Sequence, residues 1–137
     1  MDVRSVSDDF AVAPQLRLED LSVLAKKGFV AVICNRQDGE EPEQPTASEM
    51  RDAAQAAGLA FHHIPVLGGK FPEPAVAAFK AIRLGTQGKA LAYCRTGTRS
   101  ITLETLANLH DLSAEERIEV AREAGYDLSA LASRLRG

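Results

Sequence analysis

The sequence predicts an α/β fold, a single three-layer domain whose small, mostly parallel sheet is flanked by helices and followed by a helical C-terminal tail. Three observations predict it. Short apolar runs of β character alternate with amphipathic stretches of helical period, the pattern of strands joined by crossover helices. The run FVAVICN, Phe29 to Asn35, is nearly continuously apolar, as a strand covered on both faces requires. The chain has 137 residues, 45% of them apolar, enough for one core without disulfide or metal staples.

The elements follow in order. DDFAVAPQL reads as a first strand ending at Pro14. RLEDLSVLAKKG reads as a helix with Leu18, Leu21, Leu24 and Ala25 on one face and Gly28 as its stop. FVAVICN is the second strand, and RQDGEEPEQPT a polar loop with two prolines. TASEMRDAAQAAG opens with a Thr46/Glu49 capping-box pair and ends on glycine, which marks a second helix. LAFHHIPV is a third strand and GGKFPEP a turn. EPAVAAFKAIRLG is a third helix, with Pro74 tolerated in its first turn. KALAYC is the fourth and last strand, expected in the sheet interior. From Thr98 to Gly137 the pattern is helical, broken near His110-Asp111 and at Gly125. One domain over residues 1–137 is expected, with its core at about 6–107 and the tail at 108–137.

Composition excludes several classes of function. The net charge is −3 with no basic cluster, so nucleic acid is not an expected partner. No apolar run approaches the roughly 20 residues of a membrane span, so no membrane partner is expected. MDVRSVSDDF lacks the cationic start and apolar run of a signal peptide, which predicts a cytoplasmic protein with reduced thiols. Two cysteines and three histidines without close spacing argue against zinc. No Walker or GxGxxG sequence occurs. Neither metal nor cofactor is expected.

The chemistry concentrates in CRTGTRS, Cys94 to Ser100. Ligands of open α/β sheets bind at the carboxyl ends of the strands, and Cys94 stands at that end of the last strand. Gly97 permits a left-handed backbone and close approach. The amides of Arg95, Thr96, Gly97, Thr98 and Arg99 can turn inward as a nest for an anion, and the next helix adds its positive N-terminal end there. Arg99 supplies a planar fork for oxyanion oxygens. Ser100 is expected to donate its hydroxyl to the cysteine sulfur. Each feature favours the thiolate, so Cys94 is expected to be nucleophilic at neutral pH. The alternative is a buried cysteine acting as a small hydrophobe.

The strand, C-x-x-G-x-R-S and helix unit resembles the active loop shared by rhodanese sulfurtransferases and cysteine-dependent protein phosphatases. The pattern across residues 6–107, with its Gly28–Arg36 and Phe61–Val66 strands, resembles the dual-specificity-phosphatase fold. ICNRQDGEEPEQP together with YCRTGTRS resembles the phosphatase-like domain of the bacterial beta-lactamase-hydrolase-like family. That resemblance implies a cysteine-phosphatase-like fold. It also implies a persulfide dioxygenase as a partner, because the family occurs alone or fused to such a domain.

Three departures from the phosphatase pattern point to sulfur transfer. Only Arg95, Thr96, Gly97 and Thr98 separate Cys94 from Arg99, one residue fewer than in such phosphatases and matching the rhodanese loop. Leu67-Gly68-Gly69 stands where phosphatases carry a general-acid aspartate, needed when an alkoxide or phenoxide must leave. Tyr93 precedes the cysteine where they usually have histidine. The expected activity is therefore a rhodanese-type sulfurtransferase, with a small anionic sulfur donor, a thiol acceptor and a Cys94 persulfide. The alternatives are a cysteine phosphatase and a non-catalytic anion- or thiol-sensing module. Fold alone does not decide between them.

Other residues have bland and functional readings. Cys34 is expected in the core, or as a resolving thiol if its strand neighbours that of Cys94. His62 and His63 alternate across their strand, one half-buried and one at the surface. Arg36 is either an ion-pair partner or a steering charge for anions. Glu73, beside Pro74 at a helix start, is a helix N-terminal carboxylate or a proton donor. Arg95 faces solvent or widens the positive mouth. Asp38, Glu40, Glu41 and Glu43 read as a solvated acidic loop.

Overall fold

The computed structural model describes residues 1–137. Four of its strands lie where the apolar runs predict them: β2 (Phe10–Ala13), β3 (Phe29–Cys34), β4 (Ala60–His63) and β5 (Lys89–Tyr93). A fifth, β1 (Arg4–Ser7), pairs antiparallel with β2 at the sheet edge. Its sequence, RSVS, is polar and largely exposed, so no apolar alternation announced it. The sheet therefore has five strands rather than four, in the order β1-β2-β5-β3-β4. All pairings except β1–β2 are parallel. β5 is the central strand, buried between β2 and β3.

The helices are α1 (Asp20–Lys26), α2 (Ala47–Ala56), α3 (Glu73–Gly85), α4 (Thr98–Ala107), α5 (Ala114–Glu123) and α6 (Ala132–Arg136), with a short 3₁₀ turn at Ser129–Leu131 before α6. α1 is shorter than its sequence pattern. The backbone N–H of Arg17 donates to Asp20 Oδ2 at 2.8 Å, which holds the entry as a turn. Leu18 falls in that turn and is exposed, while Leu21 and Leu24 are buried. The Thr46/Glu49 capping box opens α2, and Asp38 Oδ1 accepts from the Ala47 N–H at 2.8 Å. Three otherwise unpaired donors of that helix end, the N–H groups of Thr46, Ala47 and Glu49, are thereby met.

Alternation along the strands gives each sheet face its own core. On one face Val32, Cys34, Leu91 and Tyr93 pack with Leu21 and Leu24 of α1 and Met50 and Ala54 of α2. On the other, Val12, Ile33, Ala90 and Ala92 pack with Phe79 of α3 and Ile101 and Leu103 of α4. Ala121, Ala124 and Leu128 join this second cluster, so the core draws on residues beyond 107. Arg83 is buried and clamps α3 to α4 through Glu104, Nε–Oε1 2.8 Å and Nη2–Oε2 2.9 Å. Its guanidinium also lies 4.2 Å from the Phe10 ring centre, an added attraction at a desolvated site. No helix is long and apolar enough to cross a membrane.

Candidate active site

The site forms where β5 runs out. The Cys94 N–H still reaches Ala13 O of β2 at 3.4 Å, and the Gln15 N–H reaches Arg95 O at 3.3 Å. Just past those anchors the chain turns at Gly97, whose φ of +94° is the left-handed region that favours glycine. α4 begins at the next residue, with its N-terminus aimed at the cysteine. Cys94 is fully buried at the bottom of this turn. The Gly97 N–H donates to Cys94 Sγ at 3.1 Å.

Arg99 is held rigidly. Its Nη1 donates to Val66 O at 2.9 Å and to Glu40 Oε2 at 2.7 Å, and Nη2 donates to Glu40 Oε1 at 2.8 Å. The bidentate pairing fixes the guanidinium plane. Glu40 hydrogen bonding raises Arg99 above its ordinary value against the opposing effect of burial, and the neighbouring Cys94 adds to the rise. Glu40 is pulled down to about 2, first by Arg99 and then by Arg36 and the Gln37 amide, against burial. The acidic loop is thus part of the site rather than a solvated excursion. Glu40 positions the arginine, Asp38 caps α2 and Glu41 takes Arg36 Nη2 at 2.8 Å.

Arg36 is 1% exposed. Its Nε goes to Glu40 Oε1 at 2.9 Å and its Nη1 to Gln15 Oε1 at 2.8 Å. With Glu41 on Nη2, the guanidinium has a partner at every nitrogen. That occupancy matches an ion-pair role and leaves little for steering anions. His63 contacts Arg36 O through Nε2 at 2.8 Å. Both His62 and His63 are half-buried, not one buried and one exposed, and burial holds His62 below its ordinary value.

Ser100 corrects an expectation. It is fully buried, and its hydroxyl donates to Asn35 Oδ1 at 2.8 Å rather than to the sulfur. The Asn35 amide in turn donates to Ile64 O at 3.0 Å. Asn35 thereby ties the ends of β3 and β4 to the first turn of α4. The polar residue closing an apolar strand at the ligand end of the sheet was the available signal for it.

Thr96 and Thr98 are exposed at the rim, their hydroxyls 3.1 Å apart. Arg95 is exposed, 3.7 Å from Glu41. Glu73 is 89% exposed at the start of α3, with Arg134 as its ion partner at 3.9 Å. Cys34 shares a face with Tyr93, its register partner, and so lies out of phase with Cys94 although the strands are neighbours. Burial pushes the Cys34 thiol up, and burial likewise pushes the Tyr93 phenol up.

The tail completes the rim. A groove of ≈ 360 Å³ is lined by Gly68, Gly69, Thr98 and Arg99 on one side and by Asp127 and Leu131 on the other. The Ser129 side chain and N–H hold the exposed Asp127 carboxyl below its ordinary value, so the one tail carboxylate facing the groove stays ionised. No three His, Cys, Asp or Glu side chains converge as a metal-holding group.

Residues 2–110 match the family model described as beta-lactamase hydrolase-like protein, phosphatase-like domain. The chain belongs to this family. Its members named beta-lactamase hydrolase-like protein include one from Xylella fastidiosa, 31% identical over 93% of this chain, and one from Agrobacterium fabrum, 32% identical over 91%. The chain spans 30% of the length of each. A solved structure from Neisseria meningitidis, whose name proposes a phosphatase, is 31% identical and superposes with a TM-score of 0.86 over 98% of this chain and 96% of its own. The kinase-associated phosphatase shares only 17% identity, with a TM-score of 0.76 over 96% of this chain and 88% of its own. At that distance the likeness is one of fold. The phosphatase-like domain family therefore supplies the scaffold, an α/β cysteine-phosphatase-like fold.

Proposed function

We propose that this domain is a cysteine-dependent phosphatase for small esters whose leaving group departs without a proton donor. One observation carries the reading: a buried thiol that accepts the Gly97 N–H at 3.1 Å, at the head of α4 and beside an arginine clamped by Glu40. That is a nucleophile beneath a preorganised oxyanion seat. Cys94 Sγ bonds to phosphorus as the bond from phosphorus to the leaving oxygen breaks, and the leaving group takes that electron pair. Water then attacks phosphorus, and the thiolate departs with orthophosphate released. The family's phosphatase-like description and the name of the Neisseria relative support it. The restriction on leaving group comes from Leu67-Gly68-Gly69, which offers no acid, and from the ionised Asp127. An aryl phosphate should turn over, and an alkyl phosphate should be slower by about 10²–10⁴-fold, the common worth of general acid catalysis.

A second reading, sulfur transfer, is favoured by the four residues between Cys94 and Arg99. A loop of that length has fewer amides for three phosphoryl oxygens and suits a terminal sulfur. Cys94 would bond to the outer sulfur of thiosulfate as sulfite leaves, and a thiol or cyanide would then take that sulfur. None of the relatives described above is named for this activity. The deciding experiment incubates the protein with p-nitrophenyl phosphate or with thiosulfate, follows turnover and weighs trapped Cys94. A phosphoryl adduct with nitrophenol release supports the phosphatase. A single added sulfur atom with negligible nitrophenol release overturns it in favour of transfer.

A further inference from the structure

The tail beyond the family-matched residues 2–110 reaches the nucleophile loop through one side chain. The Tyr126 hydroxyl donates to Thr96 O at 3.0 Å. That carbonyl belongs to the same peptide unit as the Gly97 N–H, which donates to Cys94 Sγ at 3.1 Å. A trans peptide is planar with its C=O and N–H directed oppositely. Holding the carbonyl outward therefore holds the amide inward.

We infer that Tyr126 is a positioning residue for the Cys94 loop, orienting the Thr96–Gly97 peptide so that its N–H faces the sulfur and any group bonded to it. With this peptide reversed, a carbonyl oxygen would face the thiolate and the incoming anion, an arrangement both would oppose. Packing supports the assignment. A Cβ at Gly97 would collide with the Tyr126 hydroxyl oxygen, so the phenol closes directly on the loop backbone. Tyr126 is itself fixed where α5 ends, its N–H on Ala121 O at 2.9 Å, after Gly125 turns the chain with φ of +101°. Leu128 is buried just beyond. Burial raises the phenol above its ordinary value, so it remains a donor at neutral pH.

The inference rests on Cys94 being the nucleophile and not on which group it carries. The test is Tyr126→Phe, which keeps the ring and removes the donor. Alkylation of Cys94 by iodoacetate should be slowed several-fold at neutral pH and should match the parent protein at alkaline pH. The Gly97 amide should exchange with solvent faster while the β5 amides keep their protection. With p-nitrophenyl phosphate, kcat should fall and KM should hold. Unchanged neutral alkylation would overturn the assignment, and so would equal slowing at both pH values, which reports altered access instead. If no phosphate ester turns over, the alkylation and exchange readouts still decide the role of Tyr126. If the variant is too unstable to assay, a ring-fluorinated tyrosine at 126, a stronger donor, should speed neutral alkylation, and no change would again overturn it.

Discussion

Cys34 and Cys94 are both buried, and they close two adjacent strands of the same sheet, β3 and β5. What separates them is the direction of hydrogen bonding. Cys94 accepts from the Gly97 N–H at the head of a helix. Cys34 Sγ donates to Arg36 O at 3.5 Å, in an apolar cluster with Met50 and Leu91. Burial pushes the Cys34 thiol up, against the opposing effect of its hydrogen bonds with Tyr93 and the Arg36 backbone. The Arg36 carbonyl accepts its S–H, so Cys34 is kept as a thiol. An amide donor accommodates a negative sulfur. Burial therefore says little about a cysteine until the polarity of its neighbours is known.

The comparison can be broken most severely at Cys94. Cys94→Ser should lower turnover by more than about 10³-fold, since the group that forms the intermediate is gone, with the far-UV spectrum unchanged. Retained turnover in that variant would remove Cys94 from the chemistry. Glu40→Gln should come next. It leaves the arginine in place but weakens its clamp, and a misplaced catalytic group costs on the order of 10²-fold, read as kcat/KM on an aryl phosphate. The same carboxylate gives a pH signature. Because folding pulls Glu40 from 4.5 to about 2, its contribution to stability is present above the ordinary value and is lost as pH falls from there toward about 2. Acid titrations of unfolding free energy should show that loss in the parent protein and much less of it in Glu40→Gln.

Alkylation sharpens the contrast itself. At neutral pH iodoacetate should modify Cys94 at least about tenfold faster than Cys34, as peptide mass analysis would show, because the thiolate is the reactive form. Equal rates would mean that hydrogen-bond direction does not govern reactivity here. The smallest effect is expected from Cys34→Ala, which should leave aryl phosphate turnover within about twofold. It should cost about 1 kcal/mol in urea unfolding for the lost sulfur packing. A large loss of turnover would assign Cys34 a part in the reaction.

The layered fold was legible because buried strands and helix caps leave local signatures. FVAVICN, KALAYC and the Thr46/Glu49 pair each declare themselves within a few residues. The edge strand Arg4–Ser7 does not, since an exposed polar strand has no apolar period to read. Cys94 and Gly97 were legible for the same local reason, the strand, glycine and helix order. The supports of the site were not. Glu40 lies 59 residues from Arg99, and Asn35 lies 65 from Ser100. A chain of carboxylates in a Pro-rich loop reads as solvated until folding lays it over the arginines. Tyr126, 30 residues past Thr96, looked like one more helix-tail residue because the tail's packing onto the sheet depends on tertiary contacts alone.

The order of the sheet bears on how the molecule assembles. β5 is the last strand in the chain and the middle strand in space, pairing with β2 on one side and β3 on the other. Until Lys89–Tyr93 has entered, β2 and β3 have no hydrogen-bonded connection to each other. Parallel pairings of such long sequence separation carry the loop-closure cost that makes folding slow. During synthesis from the N-terminus, the earlier strands must wait for the segment that ends in Cys94. The step that joins the two halves of the sheet is thus the step that brings the thiol under its helix, and a chain stopped short of it holds neither.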